Sequence, residues 1–271
     1  MKTSKLTLLT ALLIMIGLSA QAQEKYTFGI KASFASTKFI LKGLEDAVNF
    51  KNSSRNSFIA GATVNYNFNE KVSLQSGLFL AKKGGNFEFS GEPVEEEQPE
   101  QLTDSFSNAR QSLGLHRGAM LASHIGADKI SALPEADQYL VSAKVQASIL
   151  YLEIPLNFIY TFSTSAGKFH LGTGPYYALG LSGNIKTEIT VMAEGHQTDV
   201  TDEKVKFGND EDSDFRRHDF GVNFLAGYQL NNGISIHGGY GLGLSNIAPN
   251  SGDESSIKNR LFSVGLGYSF K

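Results

Sequence analysis

The stretch Ser148–Phe162, SILYLEIPLNFIYTF, constrains the fold more than any other part of the chain. Its alternate residues Leu150, Leu152, Ile154, Leu156, Phe158, Tyr160 and Phe162 are all apolar or aromatic. The interleaved set, Ile149, Tyr151, Glu153, Pro155, Asn157, Ile159 and Thr161, is mixed and carries a carboxylate. A period of two is a strand with two unlike faces. At about 3.3 Å per residue the stretch is long enough to cross a bilayer when tilted, and its continuous apolar face suits lipid better than water.

The pattern recurs along the chain. Alternating segments run over Tyr26–Phe39, Ser57–Phe68, Val72 to about Phe89, Ser148–Phe162, Lys168–Thr190, Arg216–Leu230, Ile234–Ile247 and Asn259–Lys271. Tyr139, Val141 and Val145 alternate as well and extend the fourth segment upstream. Gly84-Gly85 is the expected place for a bulge. The connections alternate strictly in length. Ile40–Asn56, Ser90–Ala147, Glu194–Asp214 and Ala248–Lys258 are long and polar; Asn69-Glu70, Ser163–Gly167 and Asn231–Gly233 are short turns. The expectation is an all-β fold, an eight-stranded antiparallel up-and-down transmembrane β-barrel in the outer membrane, with short turns and both termini in the periplasm. Residues 90–147 form a long extracellular insertion, in which Leu113, His116, Met120 and His124 fall near helical spacing.

The amino terminus fits this location. Lys2 and Lys5 precede an apolar run from Leu6 to Leu18, and Ala20-Gln21-Ala22 is a small-x-small cleavage site. Residues 1–22 read as a signal peptide and 23–271 as the barrel domain. With no cysteine in the chain, disulfides, thiolate metal sites and lipid attachment at a mature cysteine are ruled out. After Ala22 no apolar run is long enough for a helical span. Removing Lys2 and Lys5 leaves 22 Lys+Arg against 27 Asp+Glu, a net of −5, which offers no basic face for nucleic acid.

If the apolar set faces lipid, the opposite set fills the lumen. Its charged and amide members are Lys31, Gln75, Glu153, His170, Arg217, Asp219 and His237, which must pair in a narrow, poorly hydrated interior. Glu153 is expected to pair with Lys31 or Arg217. Aromatic residues at the turn ends, Phe68, Phe162, Phe169, Tyr228, Tyr268 and Phe270, are expected to form the periplasmic girdle. The acidic run Asn209–Asp214 lacks the spacing and glycine of a calcium loop and reads as a solvated connection, as does the acidic stretch after Gly91. His116 and His124 are too isolated to read as metal ligands. His218 and Asp219 are adjacent and so face opposite sides of a strand. No catalytic constellation, cofactor site or metal site emerges, and a non-enzymatic protein without cofactors is expected.

Several segments together resemble the PorT-like outer-membrane β-barrel family of Bacteroidota. They are YLEIP (Tyr151–Pro155), GPYYALGLSG (Gly174–Gly183), DFGVNFLAGYQL (Asp219–Leu230), YGLGLSNI (Tyr240–Ile247) and the closing NRLFSVGLGYSF (Asn259–Phe270). The resemblance implies a single eight-stranded barrel with no catalytic motif, and some members assist type IX secretion. The insertion at 90–147 departs from the family pattern. The combined expectation is a structural or surface interaction protein acting through its extracellular loops, with an accessory of type IX-like secretion or envelope assembly and a narrow small-solute channel as the alternatives. Its expected partners are outer-membrane lipid and an extracellular or secretion-machinery protein at 90–147, and it is expected to be a monomer.

Overall fold

A computed structural model describes residues 25–42, 50–90, 94–95, 138–192, 196–210, 212–249 and 256–270. The expected signal peptide, residues 1–22, most of the insertion and His116 and His124 lie outside them. The described residues form eleven strands: β1 Tyr26–Lys42, β2 Phe50–Ser53, β3 Arg55–Asn67, β4 Val72–Ser90, β5 Val94–Glu95, β6 Gln138–Ser163, β7 Gly167–Met192, β8 His196–Lys204, β9 His218–Leu230, β10 Ile234–Gly243 and β11 Ser256–Ser269.

Eight of them close a ring. Antiparallel pairing runs β4-β3-β1-β11-β10-β9-β7-β6, and β6 then pairs back onto β4. The β1/β11 seam joins the two ends of the chain, with Gly29 opposite Ser269. The β4/β6 seam runs from Val72 opposite Tyr160 to Ser90 opposite Ser142, so it bridges the long insertion. The three short turns lie at one end of the ring together with the start of β1 and the end of β11. One of them needs Gly233, whose φ of 92° is open to glycine and strained for most other residues.

Burial follows the period of two. In β6 the set Ile154, Leu156, Phe158, Tyr160 and Phe162 is exposed on the outside, while Tyr151, Glu153, Asn157, Ile159 and Thr161 are buried in the lumen. The same inversion of a water-soluble protein holds in β1, where Phe34 is 88% exposed, and in β11, where Leu266 and Phe262 face outward. Such a surface is stable only in hydrocarbon.

Two expectations need correction. The register at Gly84-Gly85 is unbroken, and the bulge lies instead in β7, where Leu150 pairs Ser182 but Tyr151 pairs Gly180. The extra residue, Leu181, flips the strand's facing, so Ile185 and Thr187 point inward above it whereas Tyr176 and Ala178 do below it. The connections Ile40–Asn56 and Glu194–Asp214 are also not all loop. β8 pairs along the outer half of β7, and β2 pairs the end of β4. Polar residues are tolerated in these strands because both faces of the sheet have left the membrane there.

The lumen leaves little room at the backbone. A Cβ on Gly174 would stand 2.0 Å from the Leu156 carbonyl oxygen, which is part of the neighbouring strand and cannot yield. Gly174→Ala is expected to lower stability by about 1–3 kcal/mol, read from the urea midpoint of the protein folded into phosphatidylcholine vesicles. The outward-facing Gly238→Ala, with only one atom 3.6 Å from its Cβ, is expected to leave that midpoint near wild type.

Candidate functional site

The lumen is the only interior these strands enclose, and its contents fall into three layers. In the middle, Lys83 of β4 reaches across to two carboxylates. Its Nζ lies 2.8 Å from Glu153 Oε2 of β6 and 3.1 Å from Asp219 Oδ2 of β9. Lys83 is 3% exposed and Asp219 0%. The carboxylate of Asp219 also accepts hydrogen bonds from Tyr176 Oη (3.2 Å), Asn259 Nδ2 (2.9 Å) and Ser245 Oγ (2.9 Å). Asn223 Nδ2 donates to Glu153 Oε1 at 3.3 Å. The ammonium further lies 4.1 Å from the centroid of the Tyr176 ring. One cation thus serves two carboxylates, and neutral donors supply the rest. This is what makes buried charge tolerable in a low-dielectric interior.

Above this cluster, toward the long connections, the lumen is apolar. Phe39 stacks on Phe87 at 5.8 Å and on Phe215 at 5.7 Å, and Ile149, Ile185, Ile247 and Ile257 complete a buried core. Phe215 and Ile247 belong to connections that fold back into the mouth, so the barrel is stoppered from that end. Below the cluster the lumen is polar again. Lys31 donates to Gln75 Oε1 (2.9 Å), and Gln75 donates to Asn65 (2.7 Å). Ser33 Oγ and His237 Nε2 are 2.9 Å apart; His170 bonds Thr161 (3.0 Å) and Gln229 (3.2 Å). A cavity of about 100 Å³ separates this lower layer from Lys83 and Glu153, enough for a few water molecules.

Six of the seven residues assigned to the lumen from sequence, Lys31, Gln75, Glu153, His170, Asp219 and His237, lie inside. Arg217 does not. Pairing of β9 stops at His218, and Arg217 is exposed with its guanidinium 5.3 Å from the Phe207 ring. The expected partners of Glu153 are therefore corrected as well: Lys31 bonds Gln75, and the cation on Glu153 is Lys83. Lys83 was legible in principle, since it keeps the odd parity of Ser73, Gln75 and Gly77 along β4. The aromatic residues Phe68, Phe162, Phe169, Tyr228, Tyr268 and Phe270 all lie outward at the short-turn end. They pack in pairs such as Phe169–Tyr228 at 4.5 Å and Tyr268–Phe270 at 5.3 Å. Tyr26, Tyr66 and Tyr160 join the same ring.

The outer membrane protein beta-barrel domain family matches residues 20–248. The chain belongs to that family. No curated protein is significantly similar in sequence. Among solved structures, the attachment invasion locus protein Ail of Yersinia pestis is 12% identical over 91% of this chain and 99% of its own, with a TM-score of 0.34. Neisserial surface protein A is 12% identical over 91% and 100%, at 0.32. AlkL, an outer membrane protein, is 12% identical over 93% and 94%, at 0.33. At these scores the barrel architecture rests on this chain's own closed ring and family membership. A family barrel sits in the outer membrane, which accounts for the inverted surface.

Two features of this family member's lumen bear on its chemistry. Ser33 and His237 have the contact of a nucleophile and its base, but His237 Nδ1 has no partner among the described residues, so nothing orients the ring. No group of three or more metal-ligating side chains occurs among the described residues. Lys83→Met strands two buried carboxylates and is expected to cost about 3–5 kcal/mol in the same urea titration. Adding Glu153→Gln and Asp219→Asn to Lys83→Met is expected to recover part of that loss, because the uncompensated charge is gone.

Proposed function

We propose that the chain is a non-enzymatic surface protein of the outer membrane that acts through its long connections, above all residues 90–147. In this reading the short turns and both termini are periplasmic. One observation carries it. β6 and β7 are 26 residues each, whereas a tilted crossing needs about 9–11. Their outer halves, with β4, β8 and the short strands β2 and β5, continue the sheet roughly 30 Å past the apolar belt. The insertion leaves from the top of this extension and returns to it. A scaffold so placed displays loops away from the lipid, and loops are where such folds carry recognition.

The stoppered mouth weighs against a narrow channel. A secretion accessory remains the second reading, favoured by the PorT-like resemblance in Tyr151–Pro155 and Gly174–Gly183, and such a protein would be of Bacteroidota type. In planar bilayers the folded protein is expected to be silent; steady unitary conductance would contradict the account. Protease added to intact cells is expected to cut within 90–147 and spare the barrel. Cleavage only after the outer membrane is permeabilised would reverse the orientation. Removing 96–137 separates the two leading readings: loss of surface binding with normal export favours the first, blocked export of other proteins the second.

A further inference from the structure

The seam between β1 and β11 carries a charge pattern that the barrel itself does not need. On its outward face, Lys38 stands directly opposite Arg260, Ile40 opposite Lys258, and Lys42 opposite Ser256. Neither strand contains an Asp or Glu. Like charges directly opposite one another on a sheet destabilise it. No carboxylate pairs with any of these four cations among the described residues. Arg260 donates from Nη1 to the Gly243 and Asn259 carbonyl oxygens, which fixes its side chain without a carboxylate partner among the described residues.

The same barrel treats charge differently where the sheet stands free of the membrane. There Glu88 is opposite Lys144, Lys144 is opposite Glu188, and Lys186 is opposite Asp202. In each of these rows a cation faces a carboxylate. Among the described residues, the β1/β11 seam thus lacks the facing carboxylates that the outer sheet carries.

Height shows what lies beside these cations. From Phe270, at the short-turn end, to Arg260 is about ten residues; at about 3.3 Å each and a tilt near 40° this is about 25 Å, the height of the apolar band. Directly below the cations lie Phe34, 88% exposed, and Phe262, 55% exposed, both facing hydrocarbon. The cations therefore stand at the far interface, where lipid phosphates are. Arg and Lys both bind phosphate strongly through charge-assisted hydrogen bonds.

We infer that Lys38, Lys42, Lys258 and Arg260 form a binding site for the phosphates of an outer-leaflet lipid, of the lipid A type. The leaflet assignment rests on the orientation proposed above; the phosphate site does not. The test is the apparent affinity of the full-length folded protein, in detergent micelles, for diphosphoryl and for dephosphorylated lipid A, by native mass spectrometry. Wild type is expected to prefer the phosphorylated form by at least about tenfold. The pair K38Q/R260Q is expected to abolish the preference, while K144Q/K186Q keeps it, with heat-modifiable gel migration showing all three folded. Equal affinity for the two lipids would overturn the proposal. So would equal losses in both variants, or a preference for a soluble sulfated polysaccharide with none for the lipid. Micelles have no leaflets, so a failure here is distinct from a reversed orientation in the protease experiment.

Discussion

A backbone amide in hydrocarbon has no water to turn to, so every strand in the bilayer must be paired on both sides. That requirement organises this molecule. Seven of the eight ring pairings join strands that follow one another along the chain within the ring. The eighth, β1 with β11, closes the ring. Among the consecutive pairings the β4/β6 seam spans the longest connection, since its partners are separated by the whole insertion. It is also the longest seam on β4, running from the girdle at Val72 to the outer sheet at Ser90. The insertion is free to vary because both ends of it are pinned to adjacent strands.

Closing only eight strands leaves an interior that side chains must fill. The filling is ordered by what each level can reach. At the short-turn end, water is near, and His170, Gln229 and Lys31 suffice with neutral partners. In the middle, Lys83 ties β4 to β6 and β9, while Tyr176 and Asn259 bring in β7 and β11. At the far end, returning connections place Phe215 and Ile247 on Phe39 and Phe87. The buried ion cluster thus acts as a cross-brace, and the aromatic layer excludes water above it. The outside face solves a separate problem, presenting apolar residues to lipid and cations at one interface.

The architecture was legible because the period of two runs through the ring strands, broken only at the β7 bulge, and the turns alternate short and long. The facing of Glu153, Asp219, His170 and His237 followed from parity alone. What was not legible has physical causes. Phe39 and Phe87 occupy lumen positions but are aromatic, so a rule that the lumen is polar hides the stopper. Leu181 breaks parity at a bulge that no glycine or proline at that position announces. β2 and β8 are polar because they stand in water on both sides, and they look like loop until their pairing is seen. Arg217 sits two residues from Asp219 with the right parity, yet the strand has already ended there. Partner choice is the least legible of all: parity says which residues enter the lumen, while height around a sheared ring decides which of them meet.

The central claim, that the apolar set faces lipid on a closed ring whose interior is filled, can be read residue by residue. The chain has no native cysteine, so single-cysteine variants at successive positions from Ser148 to Phe162 can each carry a spin label without a background signal. In vesicles, even-numbered positions from Ile154 to Phe162 should be accessible to dissolved oxygen and shielded from a polar nickel reagent, and odd-numbered positions should be shielded from both. A smooth profile with no period of two, or odd positions open to the nickel reagent along the whole stretch, would contradict it.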